Sequence, residues 1–271
     1  MSRRRPVRAW VGAPAKIDPA ELLGPRGLTE EVLRGEGDEG RTPEFAPAAG
    51  SGDGPGEGNG DGFYRSLLTE ARLARIESVV SARLASVTLV LDRLLDPHNV
   101  AAALRTAEGL GLVRVHVVAH EEGDLVAHRR VTQDAHKWLE VLRHDSGATA
   151  ARALRAQGFS VYAGHLGEGA LLLQELPPDR PVALLFGNEH EGPSTATLAA
   201  CTGLFRIPMA GFSQSFNVSV AAAIALARTT EARRAHLGRA GDLPEQDRTA
   251  LRSRYLRLAA GLARRLRHPP A

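Results

Sequence analysis

Apolar positions change their rhythm twice along the chain. Residues 1–62 show no sustained apolar periodicity, and from Gly50 to Gly62 glycine alternates with Ser, Asp, Pro, Glu and Asn. Such a stretch cannot bury enough apolar surface to order itself, which predicts a disordered, low-complexity extension over 1–62. Leu67, Leu68, Ala71, Leu73, Ile76, Val79 and Val80 then recur at helical spacing and predict one helix from Tyr64 to Leu84, an N-terminal segment of 63–85. From Ser86 onward apolar runs of strand length alternate with helical periods, the signature of an α/β domain on a mostly parallel sheet with flanking helices. Val87–Leu91, Val113–Val118, Phe159–Ala163, Val182–Phe186 and Leu204–Pro208 read as strands. Val100–Leu110, capped by Asn99, Ala148–Gln157 and Val218–Leu237 read as helices, and the domain spans 86–237. Beyond Gly238–Pro244, Glu245–His268 predicts a last helix within a C-terminal extension of 238–271. Its apolar stripe, Leu251, Tyr255, Leu258, Leu262 and Leu266, is expected to dock on the domain or on a partner copy.

Composition narrows the class. At 271 residues, 43% apolar and 24% charged, the chain can build a core without disulfides. The longest apolar run, Val220–Ala227, is far short of a membrane span. Arg3, Arg4 and Arg5 imitate the start of a secretory signal, but Gly12, Pro14, Lys16 and Asp18 break the apolar segment that should follow, so a cytoplasmic location is expected. Cys201 has no partner for a disulfide or a thiolate zinc site and reads as a small buried residue. The net charge of +3 hides segregation: nine acids against two arginines in 30–62, eleven arginines against four acids in 228–271. Among 34 basic residues only Lys16 and Lys137 are lysines. Arginine is the better bidentate partner for phosphate, although a GC-rich genome produces the same bias.

The chemistry should lie in three loops that follow strands, because α/β sheets bind ligands at the carboxyl ends of parallel strands. These are Asp96–Arg105, Gly187–Gly192 and Ile207–Ser219. The third sets Ser213, Gln214, Ser215 and Asn217 between a strand and an apolar helix, where polar groups need partners. Gly35–Gly40 matches the dinucleotide pattern G-x-G-x-x-G, but it follows no strand and its acids would repel a pyrophosphate. His98 and His136 lack thiolates or paired acids at ligand spacing, so no metal site is expected.

Asp96-Pro-His-Asn-Val-Ala-Ala-Ala-Leu-Arg-Thr-Ala-Glu108, Leu185-Phe-Gly-Asn-Glu-His-Glu-Gly192 and Ile207–Val220 closely resemble, in order and spacing, the three motifs of the SpoU branch of the SPOUT knotted RNA methyltransferases. Within that branch they resemble the TrmH type. The likeness covers residues 70–237, and Ala135-His-Lys-Trp138 is similar to a further TrmH-type stretch. The resemblance implies a deep trefoil knot, a homodimer, and S-adenosylmethionine held by Gly164, Gly187, Ile207, Met209 and Phe216. Phe216 stands where leucine is usual, and Gly164 where a small hydroxyl residue is usual. Arg105 occupies the catalytic position; a guanidinium stays protonated, so it suits gripping the target phosphate better than serving as a general base. Asn99, Ser215, Asn217 and Glu189 complete the implied site. Residue chemistry alone also allows Asn99, Ser215 and Asn217 to be helix caps and Glu189 to satisfy loop amides. The resemblance implies 2′-O-methylation of guanosine 18 in the D-loop of tRNA. Lys137 and, on the solvent side of the last helix, Arg254, Arg257 and Arg265 are then expected on RNA phosphates, the alternative for that helix being a solvated basic face that aids solubility. A ribosomal RNA target and an inactive RNA-binding module of the same fold are the alternatives.

Overall fold

The computed structural model describes residues 60–118 and 135–267, with side chains described at 61–118 and 137–262. The predicted extension lies outside the described residues except for Gly60–Gly62, which open a helix rather than continue a coil. The chain divides into two compact units, one of residues up to Glu77 together with those from Ala250, the other of Ser78–Thr249.

In the first unit the expected single helix Tyr64–Leu84 is instead two, α1 (Gly60–Ser66) and α2 (Glu70–Ser81). The break has a local cause: the Thr69 hydroxyl accepts a hydrogen bond from the Arg72 amide at 3.2 Å, starting α2 afresh. The last helix (α7 below) runs Glu245–Arg267. Arg252 Nε donates to both Glu77 carboxylate oxygens at 2.8 and 2.9 Å, and Ser253 donates to Asp61. Among its described side chains Leu251, Tyr255, Leu256, Ala259 and Ala260 are buried, so the stripe includes Leu256; the expected Leu258 and Leu262 are only half-buried, and the Leu266 side chain lies outside the described residues.

The larger unit is built on seven parallel strands. In chain order they are β1 (Val87–Asp92), β2 (Arg114–Val118), β3 (Glu140–Arg143), β4 (Ser160–Gly164), β5 (Leu171–Leu172), β6 (Val182–Phe186) and β7 (Gly203–Arg206). The order across the sheet is β3-β2-β1-β6-β4-β7-β5. Between them lie α3 (Pro97–Gly109), α4 (Gly147–Ala156), α5 (Thr195–Ala200) and, after β7, α6 (Val218–Leu237). Alternation along each strand sorts the core into two layers. Leu89, Leu91, Leu184 and Phe186 pack with Val100, Leu104, Ala222 and Leu226 of α3 and α6. Val90, Ala183 and Leu185 point the other way, to Ala148, Ala151 and Leu154 of α4 and Ala200 of α5. Both faces are therefore covered, which is why β1 and β6 are apolar at nearly every position. The strands β3 and β5 and the helix α5 had no counterpart in the apolar pattern. Asp96, not Asn99, caps α3, its side chain accepting from the His98 amide.

At the β2–β3 side His116 Nδ1 lies 2.8 Å from His144 Nε2, the rings stacked at 5.0 Å. Burial, with His144 and Arg114 nearby, lowers the His116 pKa to about 4. The unfolded chain would take up that proton near pH 6.5, so it binds more protons than the fold between pH 6.5 and 4, and stability is lost as pH falls through that window. The expected loss is about 3 kcal/mol, and thermal melts across pH should show a shallower slope in His116→Gln than in the parent.

Candidate functional site

The β6, β4 and β7 strands are neighbours in the sheet, so the segments leaving their carboxyl ends, at Gly187, Gly164 and Ile207, emerge side by side. The loop after β1 leaves the adjoining strand. All three loops singled out from sequence thus leave one edge of one sheet, as strand order requires and sequence alone could not show.

A directional chain of hydrogen bonds joins them. Asn217 is the N-cap of α6, its Oδ1 accepting from the Ser219 amide at 2.9 Å and the Val220 amide at 3.4 Å. That role commits Oδ1 to accept and leaves Nδ2 to donate, which it does to Asn99 Oδ1 at 3.0 Å. Asn99 Nδ2 in turn donates to Glu189 Oε1 at 3.0 Å. The carboxylate also receives the amides of Leu95 at 2.9 Å and Asp96 at 3.5 Å. Cap, bridge and carboxylate come from residues 217, 99 and 189, so a polar relay spans all three loops. Partial burial pushes the Glu189 carboxyl up, but the Leu95 amide, the Asn99 side chain and the Asp96 amide outweigh it and hold the group below the usual carboxylate range.

The second loop is braced from beneath. Asn188 Oδ1 accepts from the amides of His190 and Glu191, closing a tight turn, while its Nδ2 donates to the Arg93 carbonyl at 3.3 Å. Arg93 has φ +55°, the left-handed region rarely used by residues other than glycine. The carboxylate before it, Asp92, is buried, accepts from the Thr197 hydroxyl at 3.1 Å and lies 3.4 Å from Arg93 Nε. Gly187 is required by space: a Cβ there would sit 2.2 Å from Pro193 N and 2.5 Å from Gly192 C. At Gly164 a Cβ would press on the Phe186 and Phe205 rings at 3.2 to 3.4 Å, so the residue in this position is small because an aromatic pair crowds it. Asn188, Arg93 and the Leu95 and Asp96 amides went unpredicted, and only the turn chemistry of Gly187-Asn188 hinted at one of them.

Of the remaining expected site residues, Ile207 packs against the core, Met209 is half-buried, and Ser215 and Phe216 are exposed on the third loop. Arg105 is exposed on α3, six residues and so about 120° round the helix axis from Asn99. Lys137 is half-buried in a short 3-10 helix, Ala135–Trp138. Arg254 is half-buried and Arg257 exposed on α7, and the Arg265 side chain lies outside the described residues. Cys201 is buried, donates to the Thr197 carbonyl, and has its pKa raised to about 11 by burial, which removes it as a nucleophile. Among the described residues no cluster of His, Cys, Asp and Glu is placed to hold a metal ion, and no helix is long and apolar enough to cross a membrane.

Comparison with known proteins places these loops in a family context. Residues 86–227 match the model of the SpoU rRNA Methylase family. A Thermus thermophilus protein named tRNA (guanosine(18)-2′-O)-methyltransferase is 40% identical over 158 residues, which are 58% of this chain and 81% of that one. The Escherichia coli K12 protein of the same name is 32% identical over 159 residues, 59% of this chain and 69% of its own. A solved structure of an A. aeolicus TrmH/SpoU tRNA modifying enzyme superposes with a TM-score of 0.62 at 26% identity, covering 71% of this chain and 96% of that one.

Proposed function

Since the chain belongs to the SpoU methylase family, we propose that it moves a methyl group from S-adenosylmethionine to the 2′-hydroxyl of guanosine 18 in the D-loop of tRNA. The observation that carries the reading is the relay Asn217–Asn99–Glu189, which ties three loops into one constellation at the sheet edge where α/β folds bind ligands. The choice of tRNA rests on the named relatives.

The residues present suit the cofactor. Backbone at Gly164, Gly187, Ile207 and Met209 offers amide and carbonyl groups in neighbouring segments, and Ile207, Met209 and Phe216 offer the apolar surface that an adenine ring needs. When bound, S-adenosylmethionine supplies an electrophilic sulfonium methyl group. On the nucleophile's side, Arg105 grips the phosphate of the target nucleotide with its planar fork and favours negative charge as it develops on the ribose oxygen. The ribose proton passes to that phosphate or to solvent. Ser215 and Asn217 orient the ribose, and Glu189 keeps the second loop in shape by accepting the Leu95 and Asp96 amides. No metal takes part in this scheme. The loops of the sheet's β6-β4-β7 side thread as the trefoil knot, and two copies form a cytoplasmic homodimer. The domain limits in this reading are 86–237 for the knotted methyltransferase, with the low-complexity 1–62, the helical 63–85 and the basic 238–271 as accessories.

The reading is tested by incubating the purified chain with tritiated S-adenosylmethionine and either an unmodified tRNA transcript or ribosomal RNA, then mapping the methylated ribose by mass spectrometry. Label at guanosine 18 is expected. Label confined to ribosomal RNA would redirect the substrate, and no label in either would mark an inactive binding module.

In this reading Arg254, Arg257 and Arg265 meet RNA phosphates. Each neutralised phosphate releases counterions and adds about 0.7 to 0.9 to the slope of log affinity against log salt. Reversing all three to Glu should weaken tRNA binding and flatten that slope by about 2 units, with S-adenosylmethionine affinity unchanged. A titration across salt that returns the parental slope removes α7 from the RNA site.

A further inference from the structure

The chain is poor in aromatic residues, 4% of the whole, and holds seven phenylalanines. Two of them, Phe212 and Phe216, are exposed within five residues of each other on the third loop. Phe212 is the most exposed large apolar residue described, at 109% of its reference area, against 38% for Phe216. Carrying a bare ring at a loop tip forfeits apolar burial that Leu204 or Phe205, a few residues earlier, obtains. The loop is anchored at both ends, by Ile207 against the core and by Asn217 as the α6 cap bonded to Asn99. The ring is thus projected from a fixed frame at the edge where the three loops meet. Ser213 and Gln214 beside it are exposed, with hydroxyl and amide groups of the kind that read a base edge.

We propose that Phe212 is the stacking platform for a nucleobase of the RNA substrate, a specificity residue for the same site; this rests on the functional reading above. Single-stranded and looped RNA is recognised by bases splayed out onto aromatic faces, with polar neighbours reading their edges. A base in the D-loop, at or beside the methylated nucleotide, must be displaced from its own stack to bring a ribose to the sheet edge, and the Phe212 face replaces the stacking it loses. The platform acts on RNA alone. Phe216, four residues on, serves the cofactor side of the same loop.

The test uses the full chain, an unmodified tRNA transcript and tritiated S-adenosylmethionine, comparing Phe212→Ala, Phe212→Leu and Phe212→Trp. Stacking of one base on an aromatic ring supports a rise in KM for RNA of about tenfold in the Ala and Leu variants, with parental KM regained by Trp. Calorimetry should return the parental affinity for S-adenosylmethionine, and light scattering the parental oligomeric state. The Leu variant separates a π-face from mere apolar area, so Leu performing as well as Trp overturns the platform. A change of oligomeric state that accounts for the loss overturns it in favour of a contact between copies, and weakened cofactor binding overturns it in favour of an adenine contact. Parental KM in every variant overturns it outright. A parent chain that methylates no RNA overturns the functional reading and the platform together, whereas a parent active at guanosine 18 with an indifferent Phe212 overturns the platform alone.

Discussion

Arg105→Ala should cut methyl transfer at least about a hundredfold while S-adenosylmethionine binds as tightly as it does to the parent chain. The separation follows from position. Arg105 is exposed on α3 and takes no part in the bonds that join Asn99 to Glu189 and Asn217, so those bonds remain in the variant. Arg105→Lys keeps the charge but loses the planar fork, and should recover only a small part of the rate. Single-turnover transfer of a tritiated methyl group, with calorimetry on the same samples, checks both halves. Near-parental turnover in the Ala variant would move the phosphate grip to another residue.

The second large effect is expected from the relay. Glu189→Ala leaves the Leu95 and Asp96 amides and Asn99 Nδ2 without their acceptor, and Asn99→Ala cuts the only bridge described between Asn217 and Glu189. Because the group is partly exposed, water can replace some of these bonds, and the stability cost should be about 1 to 2 kcal/mol. Activity should fall more steeply than stability, by tenfold or more, since a loop shifted by about 1 Å already spoils an in-line attack. Asn217→Ala additionally loses the α6 cap, worth about 1 kcal/mol. A cycle of Asn99→Ala, Asn217→Ala and the double variant should reveal a coupling of about 0.5 kcal/mol or more in thermal melts, whereas two independent caps would add without coupling. The carboxyl of Glu189 is held below its unfolded value, so its contribution is present at neutral pH and is lost as pH falls through the depressed folded pKa.

Asn99 shows where sequence reading runs short. Next to Pro97 and ahead of an apolar helix, an asparagine is locally indistinguishable from a cap, yet Asp96 takes that role and frees Asn99 for partners 90 and 118 positions away. Nothing local encodes such distances; the three-motif resemblance pointed to the same residues without supplying the bonds. Buried strands such as Val182–Phe186 were legible because covering both faces demands a continuous apolar run. The strands β3 and β5 escaped because they are short, sit at the two ends of the sheet and are only partly buried, so neither run length nor alternation marks them. A hydroxyl cap at Thr69 marks the break in a helix whose apolar spacing was continuous. Strand order, which brings Gly164, Gly187 and Ile207 side by side, is a property of long-range pairing and leaves no trace in local pattern.

That strand order also governs how the polypeptide matures. As the chain leaves the ribosome, β1 can pair with β2 once residue 118 has emerged, but its other neighbour is β6, about ninety residues further on. Until Phe186 is clear of the exit tunnel, β1 presents an apolar edge with unpaired amides and carbonyls, and β4 has no inner neighbour to join. Long-range parallel pairing of this kind slows folding and prolongs exposure to association with other nascent chains. Slower translation between residues 92 and 186 is therefore expected to lower the yield of folded protein in a cell, and chaperones that shield the half-built sheet are expected to restore it.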